Sequence, residues 1–145
     1  MQDFPHQYAV AATSRIDGNV SLESPGLAGL ESAPPAEFGG PGDRWSPETL
    51  LVAAVADCFI LTFKAIARAS SFDWVSLYCD VEGVLDRVEK VTRFTEFTLR
   101  VVLDAPPGTS EERATRLLQK AEEACLITNS LTSKMHMNAQ IKISE

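Results

Sequence analysis

The fold is decided by the stretch FGGPGDRWSPETLLVAAVADC, residues 38–58, in which a glycine-rich loop gives way to a long apolar helix. Ser46 is predicted to cap this helix, and Pro47 suits its first position because a proline lacks only an N–H that the helix would not use. Glu48 follows at the positive end of the helix dipole. The pattern continues to about Ala69, so we expect a central helix that is buried over most of its circumference.

The residues before this helix predict a hairpin and an ordered loop. Apolar and polar side chains alternate over residues 7–12 and again from Val20, and Asp17-Gly18 between them is typical of a tight turn. Residues 24–45 hold five of the eight glycines and four of the eight prolines, together with several large apolar side chains. This composition favours a packed loop over a flexible linker.

The residues after the helix complete an α+β pattern. Alternation over residues 75–82 and 97–103 predicts two antiparallel strands, each with one buried face. A second amphipathic helix is predicted from Ser110, with Cys125 at or just beyond its end, and a last strand covers residues 135–143. We therefore expect one α+β domain with antiparallel sheets.

Composition excludes several classes of function. The chain has 145 residues, with 13 Lys and Arg against 20 Asp and Glu, and carries a formal charge of -7. This acidic balance argues against nucleic acids and anionic membranes as partners. The longest apolar run, residues 50–63, covers about 21 Å as a helix, which is too short to span a membrane. No signal peptide is apparent at the start, so we expect a cytoplasmic protein.

Motifs for metals and cofactors are absent from the sequence. With His6 and His136 as its two histidines and no HExxH, the chain offers no metal site, and it has neither GxSxG nor GxGxxG. Nothing in the spacing supports a Cys-His hydrolase built from His136 and Cys58. We expect no bound cofactor.

The three cysteines differ in their predicted surroundings. Cys79 falls on the apolar side of a strand, as expected of a core residue. Cys58 lies within the long helix directly after the charged Asp57, and Cys125 precedes a polar segment. A structural domain whose cysteines merely fill the core remains an alternative at this point.

Two segments together resemble one known family. Residues 38–58, and LQKAEEACLITNSL at residues 118–131, are similar to the two cysteine segments of the OsmC/Ohr family, the osmotically inducible protein C-like and organic hydroperoxide resistance proteins. Element order and length agree over essentially the whole chain. The resemblance implies an OsmC-like fold, an intertwined homodimer with sites at its interface, and a thiol-dependent peroxidase that reduces organic hydroperoxides. The reductant would be an external dithiol, and a lipoyl-type dithiol is one candidate.

The resemblance also implies roles for individual residues. Cys58 corresponds to the peroxidatic cysteine, Cys125 to the resolving cysteine and Glu48 to the glutamate at the helix start. The family's active-site arginine corresponds to Arg15, in the turn after the first strand, with Arg44 as the alternative from the following loop. The chain departs from the family at two positions: Asp57 stands where a small residue is usual, and Leu126 where proline often follows the resolving cysteine.

These roles agree with the chemistry of the side chains. A free thiol is mostly protonated at neutral pH, so Arg15 would favour the thiolate and polarise the peroxide, while Glu48 would hold the guanidinium. Phe38, Trp45 and Phe59 are expected to line an apolar substrate pocket.

The spacing of Glu48 and Cys58 suggests a second subunit. Ten helical residues separate them by about 15 Å along the axis, so they cannot meet within one straight helix. A two-fold partner could bring its own loop or helix start to the cysteine. The alternative function is a non-catalytic member of the same fold that binds a small molecule or senses thiol oxidation.

Overall fold

In the computed structural model, which describes all 145 residues, the chain forms two units, residues 1–50 and residues 51–145. The first unit carries a three-stranded antiparallel sheet of β1 (Ala11–Thr13), β2 (Val20–Glu23) and β3 (Leu30–Ser32). Gly18 has a φ of 100° between the first two strands, which confirms the predicted hairpin. The first strand is shorter than the sequence alternation. The single domain over residues 1–145 stays a prediction.

The predicted glycine-rich loop is ordered and tightly folded. It contains β3 and a short 3-10 helix, Ala36–Phe38, and then doubles back on itself. A Cβ atom at Gly40 would lie 1.7 Å from the carbonyl oxygen of Pro34, so only glycine fits there. The Gly40 amide donates to the Pro35 carbonyl at 3.0 Å and closes the turn.

Helix α1 (Pro47–Ala69) begins with the predicted cap. The Thr49 amide donates to the Ser46 hydroxyl oxygen at 3.1 Å, and the Ser46 amide donates to the Thr49 hydroxyl oxygen at 2.9 Å. This reciprocal pair satisfies two amides at the helix start. The predicted start and end of the helix are both confirmed.

Only one stripe of α1 is buried. Val55, Phe59, Phe63 and Ala67, spaced four residues apart, have no exposed surface, whereas Leu61 on another face is 58% exposed. The expectation that most of the helix circumference is buried is therefore wrong within this chain. The helix has more apolar surface than the rest of the chain covers.

The whole of α1 bears on the expectation that no apolar segment is long enough to span a membrane. The helix has 23 residues, and its mean hydropathy of 2.1 over 18 residues makes it long and apolar enough to cross a membrane. The estimate of a membrane span counted only the apolar run over residues 50–63, whereas the helix, as predicted, runs from Pro47 to Ala69. Core helices of other proteins meet the same criterion, and the buried stripe of α1 packs into the core of the protein.

The second unit contains a mixed three-stranded sheet. Strands β4 (Ser76–Val88) and β5 (Val91–Ala105) form the predicted antiparallel pair, but β6 (Lys134–Ile143) runs parallel to β5. The expectation of purely antiparallel sheets is wrong for this strand. Helix α2 (Glu111–Ala124) lies between β5 and β6 in the chain and provides the crossover that a parallel pair requires.

The core of the second unit lies between the helices and the sheet. Helix α2 starts where predicted and is capped by Ser110, whose hydroxyl oxygen accepts from the Arg113 amide at 3.2 Å. A short helix, α3 (Leu126–Asn129), follows directly. The buried apolar cluster takes its side chains from α1, α2 and β5, together with Phe72 from the loop after α1: Val55, Phe59, Phe63, Ala67, Phe72, Phe97, Leu99, Val101, Leu103, Ala114, Leu117, Leu118 and Ala121.

Candidate active site

Cys58 lies in the middle of α1, directly before Phe59 of the buried stripe. Its side chain is half-buried, while the preceding Asp57 is exposed to solvent. The Thr62 hydroxyl, one helical turn further along, is 3.8 Å from the Cys58 sulfur. The position thus combines partial access with polar contacts, which is the environment of a reactive thiol.

Cys125 forms the break between α2 and α3. Its backbone leaves helical geometry with φ -63° and ψ 112°, so that one helix ends and the next begins at this residue. The Thr128 hydroxyl and the Asn129 amide both donate to the Cys125 carbonyl, at 3.2 and 3.0 Å, and the Asn129 side chain donates to the Glu123 carbonyl at 3.0 Å. These bonds fix the break, and the thiol of Cys125 is 1% exposed.

The break brings Cys125 and the start of α3 against Cys58. Hydrogen bonding from the Cys125 thiol and from the backbone amides of Ile127 and Leu126 lowers the pKa of Cys58. The first amides of a helix have no partner inside it, so they are free to bind a negative charge. Two cysteines that are 67 residues apart in sequence therefore meet in the second unit.

These contacts favour the thiolate of Cys58. Partial burial raises the pKa of Cys58, but hydrogen bonds from the Ile127 amide, the Cys125 thiol, the Thr62 hydroxyl and the Leu126 amide outweigh it and hold the pKa below its ordinary value. Hydrogen bonds from these donors replace the hydration that the Cys58 thiolate loses on partial burial.

The opposite holds for Cys125. Burial raises the pKa of Cys125, and the neighbouring Cys58 raises it further, while hydrogen bonds from Thr128 only partly offset this. Of the two thiols, Cys58 is therefore the one that ionises first, and Cys125 keeps its proton.

Cys79 lies on β4 against the core. Burial, followed by the negative charge of the neighbouring Asp80, raises the pKa of Cys79 to about 12. Its strongly protonated state still fits the predicted role as a core residue.

The two candidate arginines belong to the first unit. Arg15 is exposed in the turn after β1 and makes no ion pair. Arg44 is engaged by two carboxylates, with its guanidinium 3.6 Å from Glu31 and 3.5 Å from Asp43. Arg44 and Trp45 line a cavity of about 590 Å³ together with Glu31 and Asp43.

Glu48 has an unusual environment within the first unit. Its Oε1 atom is buried and has no hydrogen-bond partner. The residue lines a cavity of about 340 Å³ that is otherwise made mainly of apolar side chains: Val20, Ala33, Pro34, Pro35, Phe38 and Pro47. A buried carboxylate oxygen without a partner is costly, so this site is suited to a strong hydrogen-bond donor or a cation.

The three aromatic residues expected at the substrate pocket separate into two groups. Phe38 and Trp45 are 61% and 49% exposed and each lines a cavity of the first unit. Phe59 is fully buried within the core cluster of the second unit, so it has no accessible surface for a substrate. The reason is its position on the buried stripe of α1, directly after Cys58.

Sequence reasoning missed four contributors to the cysteine pair. Thr62 follows Cys58 by four residues, and residues at this spacing are neighbours on a helix, so Thr62 could have been predicted from the sequence. The amides of Leu126 and Ile127 carry no side-chain signal, because any residue except proline supplies an N–H. The hydrogen bond from Thr128 to Cys125 depends on the helix break at Cys125, which the apolar pattern of α2 did not reveal. No group of three or more His, Cys, Asp or Glu side chains is arranged to hold a metal ion.

Residues 40–140 match the sequence model of the family described as OsmC-like protein. The chain belongs to this family. The matched segment includes both Cys58 and Cys125, and the α+β fold expected from the resemblance is confirmed. An OsmC-like protein of unknown function from Vibrio cholerae has the same fold, with a TM-score of 0.84 at 19% identity over 94% of this chain and 100% of that one.

Two further proteins are similar to this chain. An organic hydroperoxide resistance protein, OsmC, from Legionella pneumophila has a TM-score of 0.75 at 23% identity, covering 97% of this chain and 99% of that chain. The uncharacterized protein YmaD of Bacillus subtilis is 24% identical over 112 residues, which is 75% of each chain. One of these structural neighbours is thus a hydroperoxide resistance protein.

Proposed function

We propose that the protein is a thiol-dependent peroxidase that reduces organic hydroperoxides through Cys58 and Cys125. The observation that carries this proposal is the set of donors on the Cys58 sulfur, which includes the Cys125 thiol itself. A peroxidatic cysteine must be ionised and partly accessible, and its resolving partner must be close. Membership of the OsmC-like family supports the same chemistry.

In the oxidative step the Cys58 thiolate attacks the terminal oxygen of the hydroperoxide. An S–O bond forms, the O–O bond breaks, and the alcohol leaves after taking up a proton. Cys58 becomes a sulfenic acid while the hydroperoxide is reduced by two electrons. The same amides that stabilise the thiolate also keep its sulfur directed at the break between α2 and α3.

In the resolving step Cys125 attacks the sulfur of the sulfenic acid. An S–S bond forms and water leaves with the thiol proton and the sulfenic hydroxyl. The resulting disulfide needs an external dithiol, which is oxidised to its own disulfide as the two thiols are regenerated. A lipoyl-type dithiol fits this role, and no bound cofactor is needed.

Arg15 and Glu48 are proposed to complete the site. Arg15 has no acidic partner in its own unit, whereas Arg44 is already paired with two carboxylates, so Arg15 is the better candidate to polarise the peroxide. The buried, unpartnered Oε1 of Glu48 is suited to hold a guanidinium in a bidentate pair.

The partner and substrate class follow from the apolar surfaces. An unpaired face of α1 and the 15 Å between Glu48 and Cys58 along the helix support an intertwined homodimer in which two chains contribute to one site. Phe38 and Trp45 offer exposed aromatic surface for an apolar hydroperoxide. We place this activity in the cytoplasm, where a dithiol reductant is available.

The proposal is tested by following the consumption of cumene hydroperoxide with dihydrolipoamide as the reductant. We expect multiple turnovers, faster than with hydrogen peroxide, and complete loss in Cys58→Ser. The Cys79→Ser variant is the matched control and should keep its activity. Oxidation of Cys58 once, without turnover in the presence of the dithiol, would instead identify the non-catalytic thiol sensor.

A further inference from the structure

Thr62 is the one side-chain hydroxyl in contact with the Cys58 sulfur, at 3.8 Å. The two residues are four apart on α1, so their side chains lie on the same face of the helix, one turn from each other. Thr62 is half-buried, as is Cys58. Its hydroxyl therefore reaches the sulfur from the side of α1, while the amides of Leu126 and Ile127 reach it from α3.

The hydroxyl of Thr62 has a different hydrogen-bond partner from that of another helical threonine. Thr115, in α2, donates its hydroxyl to the carbonyl of Glu111 one turn back at 2.9 Å, which is the common arrangement for threonine in a helix. The hydroxyl of Thr62 is directed at the sulfur of Cys58. The hydroxyl of Thr62 thus has a thiol, and not a backbone carbonyl, as its hydrogen-bond partner.

We propose that Thr62 is a positioning residue for the reactive thiol: its hydroxyl donates to the Cys58 thiolate and holds the sulfur against the α3 amides. This inference rests on the proposed peroxidase function. A hydroxyl is suited to the task because it can donate to the thiolate and accept from the sulfenic acid hydroxyl once the S–O bond has formed.

The ionisable surroundings of Cys58 are simple enough to isolate this contribution. Cys125, at the break between α2 and α3, is the titratable side chain that interacts with the Cys58 sulfur, and hydrogen bonding from its thiol lowers the pKa of Cys58. Asp57, the neighbour in sequence, is exposed. A change at Thr62 therefore alters one hydrogen bond and no charge.

The test compares Thr62→Val, which keeps the shape of the side chain and loses the hydroxyl, with Thr62→Ser, which keeps the hydroxyl. The reduced full-length protein is labelled with iodoacetamide across a pH series, and labelling at Cys58 is read by peptide mass spectrometry. For Thr62→Val we expect the midpoint to rise by about half to one pH unit, which is the scale of one net hydrogen bond. Thr62→Ser and the helix control Thr115→Val should keep the midpoint of the unaltered protein.

A second readout is the rate of Cys58 oxidation by cumene hydroperoxide in a single turnover near neutral pH. Thr62→Val should be about three- to tenfold slower, since the thiolate fraction falls with the pKa rise, and Thr62→Ser should restore the rate. If valine destabilises the helix, Thr62→Ala removes the same hydroxyl and is compared with serine in its place.

The two outcomes separate this inference from the proposed function. An unshifted labelling midpoint in both Thr62→Val and Thr62→Ala would overturn the role of Thr62, even if the protein consumes hydroperoxide normally. A shifted midpoint would support it even if the protein failed to turn over any hydroperoxide, in which case the peroxidase proposal would be the one to fall.

Discussion

Replacement of Leu126 with proline should remove one hydrogen-bond donor from the Cys58 sulfur and change little else. Leu126 is the first residue of α3, a position at which proline is well accepted because its ring suits the helix start. Cys125, directly before it, has φ -63° and ψ 112°, a conformation that a following proline allows. The variant thus deletes a single N–H at a tolerant position.

The expected magnitude is small and measurable. The Leu126 amide is one of four donors that lower the pKa of Cys58, so its loss should cost the thiolate about 0.7 kcal/mol, within the range for one net hydrogen bond. This corresponds to a rise of about half a unit in the pKa of Cys58. The thiolate fraction at neutral pH should fall about threefold, and peroxide oxidation should slow in proportion.

The assay is the pH dependence of Cys58 alkylation in the reduced protein, with Leu126→Ala as the matched control. Alanine removes the leucine side chain, which is 66% exposed, but keeps the N–H. We expect a shift in Leu126→Pro and none in Leu126→Ala. Equal midpoints in both variants, or an equal shift in both, would refute the assignment of this amide to the thiolate.

The other predictions concern the cysteines and arginines. Cys58→Ser should abolish hydroperoxide consumption, whereas Cys125→Ser should complete one turnover and then stop as a sulfenic acid or mixed disulfide; loss of that first turnover in both variants would contradict their roles. Arg15→Lys should slow Cys58 oxidation by about ten- to a thousandfold, since the ammonium loses the planar fork, while near-native oxidation in Arg15→Lys with collapse in Arg44→Ala would move the role to Arg44. Burial raises the pKa of Cys79 to about 12, so the unfolded chain loses that proton first and the free energy of unfolding should fall as pH rises above about 9. Urea unfolding from pH 8 to 10 under reducing conditions should show this slope weaken in Cys79→Ala, and an unchanged slope would contradict it.

The helices were predictable because their local signals agree with the packing. Ser46 and Ser110 cap α1 and α2 as expected, and the apolar residues of α2 face the core. The direction of β6 was not predictable from its alternation, because a strand has the same side-chain period in parallel and antiparallel pairs. Only the crossover through α2 decides it.

The two cysteines of the site could be predicted, but the groups that act on them could not. Cys58 and Cys125 stood out because their segments resemble those of one family, and the structure brings them together. The α3 amides act through the backbone, which the sequence pattern does not describe. Phe59 illustrates the reverse error: an aromatic residue beside the reactive thiol was expected at the substrate, yet the four-residue stripe of α1 turns it into the core.

The central claim is that Cys58 and Cys125 form one redox pair. Its most direct test is to treat the reduced protein with one equivalent of cumene hydroperoxide and to map the disulfides by peptide mass spectrometry without reduction. We predict an intramolecular Cys58–Cys125 disulfide that dihydrolipoamide removes, with Cys79 recovered as a free thiol. A disulfide that contains Cys79, or no intramolecular disulfide at all, would contradict the account.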